Sequence, residues 1–459
     1  MEDTTRRLGE EKVSKLLWQF SLPSIIGTMA SSIYIIIDRI FVGQVVGADA
    51  LAGMSITMPI SFIILAFGVL IGVGSGALVS IRLGQGKREE AETILGQAFA
   101  LVLVISVLVS GSLLYFLDPL LILFGASTAI LPYARDFIGI ILFASFFQYT
   151  GFGLSNVIRA EGNPRKAMYV VLINVAINIV LDVLFILIFS WGVRGAAIAT
   201  VISQGVSAAI VLGHFRGPHS VLKLKFPNMR LRLTLVKAIF SIGMAPFAMQ
   251  LAASVVNSLF NQNLARYGGD PAIGAFGVIG AIVNFLILPL IGINMGAQPI
   301  IGFNYGARQY ARVIETLKDA VIAATIITTA GFALLELFPR QMLAAFTSDA
   351  SIINIGTHGM RLILLMLPVI GLQVVGGNLF QAIGKGRIAL ILALLRQVVF
   401  LIPALLILPR FWHLNGIWVS APIADGLATI ITVLILLPEI RRMRTQPEEG
   451  TPDGEEVLC

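Results

Sequence analysis

The chain has 459 residues, 57% of them hydrophobic and only 12% charged, with a net charge of +7. A soluble globular domain is about a quarter charged, so a chain this apolar cannot present a polar exterior throughout. Much of its surface must face lipid, and the excess of basic residues points to cytoplasmic loops rather than nucleic acid, because no basic stretch is interleaved with stacking aromatics.

The polar segment 1–14 leads into an apolar stretch that contains Pro23 and ends near Asp38 and Arg39. It lacks the short apolar region and small-residue cleavage site of a signal peptide, so it reads as a retained span. A span needs about 20 mostly apolar residues, and twelve such stretches follow one another: 15–38, 51–81, 94–117, 133–158, 167–190, 195–213, 235–262, 272–302, 319–338, 353–381, 388–408 and 416–437. The expected fold is an all-α integral membrane protein, with twelve transmembrane helices in two pseudo-symmetric six-helix lobes. The lobes are 15–213 and 235–440, joined by a polar cytoplasmic linker at 214–234. The segment 441–459 reads as a disordered cytoplasmic tail, acidic and rich in Pro and Gly beyond Arg444.

With the N-terminus inside, 24 of the 32 basic residues fall on the inner side and seven on the outer, and Arg396 lies within a span. That asymmetry predicts cytoplasmic termini. Trp18, Trp191 and Trp412 fall near the expected interfaces. The halves repeat in sequence. An offset of 220 lays Ile71-Gly72 on Ile291-Gly292 and Gly86 on Gly306; an offset of 221 lays Gly195 on Gly416 and Gly205 on Gly426. Six spans is an even number, so the repeat is parallel, related by an axis along the membrane normal. Two such lobes can rock around a central cavity.

Cys459 is the sole cysteine, so no intrachain disulfide forms. His214, His219, His358 and His413 lack metal-ligand spacing. The absence of a P-loop or of HExxH and GxSxG motifs argues against an ATP-driven pump or an enzyme, and no cofactor is expected.

Ionisable side chains at mid-membrane cost on the order of 2.5–3.5 kcal/mol on insertion scales, so those present are functional candidates. Asp38 lies 23 residues beyond Lys15, and Asp182 lies 15 beyond Ala167. At helical rise these place them roughly 34 Å and 22 Å from the inner interface, in the outer half of the first lobe. Asn174, Asn178 and Asp182 recur every four residues and form one polar stripe. Low dielectric penalises the charged form of a carboxyl group, so such a group can take up a proton on one side and release it on the other. It can equally hold Na⁺, with Asp38, Asn178 and Asp182 supplying oxygens. The competing expectation is structural, with Asp38 at the interface paired to Arg39. Arg396 and Asp425 could pair across the second lobe. Pro23 removes a helix hydrogen bond and could kink the first span. Met and Phe side chains around Met244, Phe247 and Met295 could furnish an adaptable apolar wall.

Several segments carry a family pattern: Ile37-Asp38-Arg39-Ile40-Phe41-Val42-Gly43; Gly74-Ser75-Gly76-Ala77 through Ser80-Ile81-Arg82-Leu83-Gly84; Arg159-Ala160-Glu161-Gly162-Asn163; Asn178 with Asp182; and Gly195-Ala196-Ala197-Ile198-Ala199-Thr200. From about residue 15 to 440 the chain resembles the multidrug and toxic compound extrusion (MATE) family. That resemblance implies a V-shaped pair of lobes in the plasma (inner) membrane. It also implies export of amphipathic, often cationic molecules against inward H⁺ or Na⁺, by a monomer. In matched positions it implies a first-lobe cation network of Asp38, Asn178, Asp182, Thr200 and Asn156, with Pro23 where the first helix bends. Some members carry an acidic residue in the seventh helix, where this chain has Asn257, Ser258 and Asn261; coupling is therefore expected in the first lobe. Asn257, Asn261, Arg396 and Asp425 remain as polar groups of the second lobe. A flippase of lipid-linked saccharides and a non-transporting receptor or scaffold are the alternative readings.

Overall fold

Lipid offers no partners for backbone N–H and C=O groups, so a spanning chain must satisfy them internally. A computed structural model describes residues 7–218 and 220–446, which form helices and no strand. His219, Cys459 and the greater part of the expected tail lie outside the described residues.

The first lobe comprises α1 (Val13–Val45), α2 (Asp49–Gly84), α3 (Arg88–Tyr115), α4 (Leu131–Phe143 and Ser145–Ala160), α5 (Pro164–Ile188) and α6 (Gly192–Arg216). In the second, the helix Leu233–Gly306 turns at Gly269, whose φ is 66°. It therefore supplies α7 (233–268) and α8 (270–306). Next come α9 (Tyr310–Leu337) and α10 (Ala350–Ile363 and Leu367–Ala382). The segment Gly386–Thr445 turns at His413, with φ 48°, into α11 (386–412) and α12 (414–445). Twelve span-length helices result among the described residues, as the hydropathy of the sequence predicts. Their ends run past the apolar windows. The helix of α9 begins at Tyr310 rather than 319, because Arg312 to Lys318 continue it into the polar interface. Similarly, α6 runs through His214 to Arg216 and α7 starts at Leu233, leaving a connection shorter than 214–234.

The bends repeat between lobes. α4 is bent by 58° and α10 by 52°. Pro368, at the start of the second arm of α10, cannot donate to the arm before it. At the bend of α4 the hydroxyls of Ser110 and Ser145 bond each other at 2.6 Å. Left-handed turn residues recur as well: Gly47 and Gly269, Gly86 and Arg308, Gly162 and Gly384. Each pair is separated by 222 residues, so Gly86 corresponds to Arg308 and not to Gly306. The repeat is thus present, with a register two residues away from the best sequence match there.

The lobes meet through the halves of α1, α2, α7 and α8 nearer the two termini. A Cβ on Gly84 would lie 1.9 Å from the Phe303 carbonyl oxygen, and one on Gly306 would lie 2.1 Å from that of Ile81. These reciprocal contacts put the backbones of α2 and α8 in van der Waals contact. Gly74 meets Ile239, and Gly243 meets Leu70, in the same manner. Leu16, Leu17 and Phe20 of α1 are buried in an apolar cluster otherwise drawn from the second lobe and from Leu8. The rings of Phe67 and Phe247 pack with centroids 5.0 Å apart. Beyond them, towards the far face, α7 exposes Asn257, Ser258, Asn261 and Gln262 on one side. A polar stripe at that depth is not tolerated by lipid, so this side of α7 is expected to face away from the bilayer.

The connection between lobes lies strapped to the first. Gln97 Nε2 donates to the carbonyls of Asn228 at 2.8 Å and Arg230 at 2.7 Å, and its Oε1 accepts from Arg232 N at 2.7 Å. Buried Glu161 accepts from Ser220 Oγ at 2.9 Å and also bonds His214.

Substitution of Gly84 or Gly306 by Ala should push α2 and α8 apart and lower stability by about 1–3 kcal/mol. Thermal unfolding of the purified protein in detergent measures this; an unchanged midpoint for both variants would remove the joint from this place.

Candidate functional site

Asp38, Asn178 and Asp182 are brought together inside the first lobe, on α1 and α5, with Thr200 facing them from α6. Asp182 is fully buried, and Asn178 and Asp38 are 1% and 7% exposed. The charges of Asp38 and Asp182 act on one another. Asn178 Nδ2 bonds Thr200 Oγ1 at 3.4 Å, and Thr200 in turn donates to the Ala196 carbonyl at 3.0 Å. Four buried oxygens in this pocket, Asp38 Oδ1, Asn178 Oδ1 and both carboxylate oxygens of Asp182, have no hydrogen-bond partner. Buried polar atoms are nearly always bonded. Among the described residues no Lys, Arg or His pairs with either aspartate, so the expected Asp38–Arg39 ion pair is absent. The set suits a proton or a small monovalent cation: hard oxygens, negative charge and little water.

Local structure helps to build the pocket. Asp182 ends the α-helical part of α5, and Val183–Ile188 continues as a wider π-helical turn. Such turns shift the faces of the helix on either side and recur at functional sites. Two polar groups were not singled out in the sequence. Tyr34, one turn before Asp38 on the same face of α1, lies within the electrostatic reach of both carboxylates. Gln204 lies one turn beyond Thr200 on α6, and its Oε1 is buried without a partner. Spacing of four from a chosen residue is the signal that would have found both.

Asn156 does not join this group. It lies one turn from the end of α4, whereas Asp182 is 18 residues into α5. Helical rise separates their depths by about 20 Å. Its amide donates to the Phe152 and Gly153 carbonyls at 3.2 and 3.3 Å, and its Oδ1 accepts from Arg159 at 2.7 Å. A Cβ on Gly72 would lie 2.6 Å from Asn156 Nδ2. The residue 222 positions later, Asn378, bonds the backbone of Asn294 on α8 at 3.2 Å. Asn156 therefore belongs to a packing joint present in both lobes.

Pro23 is buried within α1, which stays continuous from Val13 to Val45. It leaves the Gln19 carbonyl without its helix donor. Arg396 Nε contacts Asp425 Oδ1 at 2.5 Å. Asp425 is 3% exposed, so this second-lobe carboxylate, unlike those of the first, has its counter-charge. Asn257 donates to the Ala253 carbonyl at 2.9 Å and, with Asn261, remains exposed.

Two six-helix lobes, one of them enclosing an acidic pocket with no ion-pair partner among the described residues, have the plan of a polytopic membrane transporter. A family model described as MatE matches residues 23–184 and 246–406, one copy in each lobe. The chain belongs to the MatE family, the multidrug and toxic compound extrusion proteins, and is a multidrug efflux transporter of that family. It is 27% identical over 427 residues to the multidrug export protein MepA of Staphylococcus haemolyticus (strain JCSC1435), covering 93% of this chain and 94% of that one. MepA of Staphylococcus aureus (strain MRSA252) is 28% identical over 424 residues, with 92% and 93% covered. Among solved structures, the MATE multidrug transporter DinF-BH in complex with R6G superposes with a TM-score of 0.89 at 38% identity, covering 96% of this chain and 99% of that one.

Removing one partner of a buried ion pair leaves a charge without compensation. Arg396→Met should destabilise the protein by about 3 kcal/mol, and adding Asp425→Leu should recover most of the loss. A double-mutant cycle on thermal unfolding tests this; two additive losses would mean that the pair is not coupled.

Proposed function

We propose that the protein exports amphipathic, often cationic small molecules in exchange for H⁺ or Na⁺ by alternating access. It does so as a monomer in the plasma (inner) membrane, with both termini cytoplasmic. The moving units are the lobes 15–213 and 235–440. The observation that carries the reading is the pocket of Asp38, Asn178 and Asp182, with four orphan oxygens and, among the described residues, no basic side chain in direct contact with either carboxylate.

Two carboxylates that share a dry pocket repel one another and lack solvation, so an arriving H⁺ or Na⁺ changes their packing as well as their charge. The altered packing reaches the lobe joint through α1. The outer part of that helix bears Asp38 against α5, and its first turns lie buried at the joint. Pro23 falls between the two parts, where the helix lacks one hydrogen bond. Cation entry down a membrane potential supplies about 2.3 kcal/mol per charge per 100 mV. The names of the similar proteins, multidrug export for MepA and a complex with R6G for DinF-BH, support a substrate of this kind. The flippase reading calls for several cations to hold a pyrophosphate. Arg396, the basic residue deepest in a span, is already paired with Asp425.

Purified protein in proteoliposomes should export R6G when a pH gradient or a Na⁺ gradient is imposed separately, and the effective gradient identifies the coupling ion. Asp182→Asn should insert and fold normally, yet reduce gradient-driven efflux to the level of protein-free vesicles. Undiminished efflux by that variant would refute the assignment.

A further inference from the structure

We propose that Arg312 and Asn304 of the second lobe form a clasp on the segment that precedes α1, and that this clasp sets how readily the termini-bearing face opens. The proposal rests on the alternating-access reading above and adds the groups that hold one of its two states.

The chain is helical up to Glu10, leaves the helix, and resumes it at Val13. The carbonyls around that break fall outside a continuous helical ladder and need other donors. The second lobe provides them. Arg312 Nη2 donates to the Leu8 carbonyl at 3.1 Å and to the Glu11 carbonyl at 2.6 Å. Its Nε donates to Asn304 Oδ1 at 2.9 Å, and Asn304 Nδ2 donates to the same Leu8 carbonyl at 3.0 Å. Hydrogen bonds with a charged donor are roughly twice as strong as neutral ones, and the planar guanidinium holds its contacts in fixed directions.

The segment is tied equally to its own helix. Arg7 donates to Gln19 of α1 at 2.8 Å and pairs with Glu11 at 2.9 Å. The Leu8 side chain is fully buried, and a Cβ on Gly9 would lie 3.2 Å from the Phe303 ring. Drawing α1 away from α8 and α9 on this face must therefore break the bonds of Arg312. Backbone carbonyls released in that way can be taken up by water at the interface, so the clasp is reversible. Its position, at the joint and far from Asp38, makes Arg312 a positioning residue.

The test places spin labels at exposed Lys15 and Glu315, across the clasp, in full-length protein carrying Cys459→Ser. A second pair at exposed Asp49 and Asp270 reports on the far face. Distances are measured in lipid nanodiscs with R6G, low pH or Na⁺ added. Arg312→Gln removes the charge at nearly constant size and should raise the ratio of long to short Lys15–Glu315 distances by about tenfold. Arg312→Lys, which keeps the charge but not the fork, should fall between that variant and the parent. An unchanged distribution in both variants overturns the clasp. A constant Lys15–Glu315 distance beside a changing Asp49–Asp270 distance also overturns it, because the start of α1 would then travel with the second lobe; alternating access would survive. Constancy of both pairs under every condition removes alternating access and the clasp with it.

Discussion

Negative charge buried without an ion-pair partner is the constraint on which the rest of this molecule depends. Asp38 and Asp182 are withheld from water by the packing of α1, α5 and α6; the charge of Arg39 reaches Asp38, but among the described residues no basic side chain forms an ion pair with either. Placing carboxylates in such surroundings is unfavourable, and it is this cost that the proposed binding of a cation would relieve. The second lobe supplies the contrast. It has the same helix plan, yet its buried Asp425 is neutralised by Arg396. Two lobes built alike therefore differ in the one property on which the proposed exchange of a cation rests.

The joint between lobes has a different chemistry, with close backbone approach and few charged contacts. Where Gly84 and Gly306 meet the carbonyls of Phe303 and Ile81, any side chain would separate the helices. Packing of this kind is discriminating at short range. It suits the parting and re-forming of surfaces that the proposed alternating access requires. The chief ionic additions at the joint are those of Arg312 near the membrane surface, where released groups can be hydrated.

Much of this was legible in the sequence because lipid limits the choices. Runs of apolar residues gave twelve spans, and a four-residue rhythm of Asn174, Asn178 and Asp182 marked the buried face of α5. Asp38 stood out as an acid deep in a span and Thr200 entered through a family pattern, and the structure sets them in the same pocket. What could not be read depended on neighbours distant in the chain. Asn156 was grouped with the pocket through the same pattern, but α4 carries it to the opposite end of the bundle, against Gly72. The π-helical turn after Asp182 and the bend of α4 have no proline or glycine to announce them. Near the joint the repeat register slipped by two residues because small residues recur often enough there to align in more than one way; the left-handed Gly86 and Arg308 show an offset of 222, while Gly192 and His413 keep the offset of 221 read for the last helix of each lobe.

The strapping of the inter-lobe connection also fixes a fulcrum. Because Gln97 of α3 grips the chain as far as Arg232, the residue immediately before α7, the near end of α7 cannot slide away from the first lobe. In the proposed alternating access, relative motion of the lobes becomes a tilt about that anchored end. α7 is about 54 Å long at helical rise, so a tilt of about 10° sweeps its far end through roughly 9 Å while the near end scarcely moves. A few side-chain bonds on one surface thus give the protein the mechanical advantage of a long lever on the other.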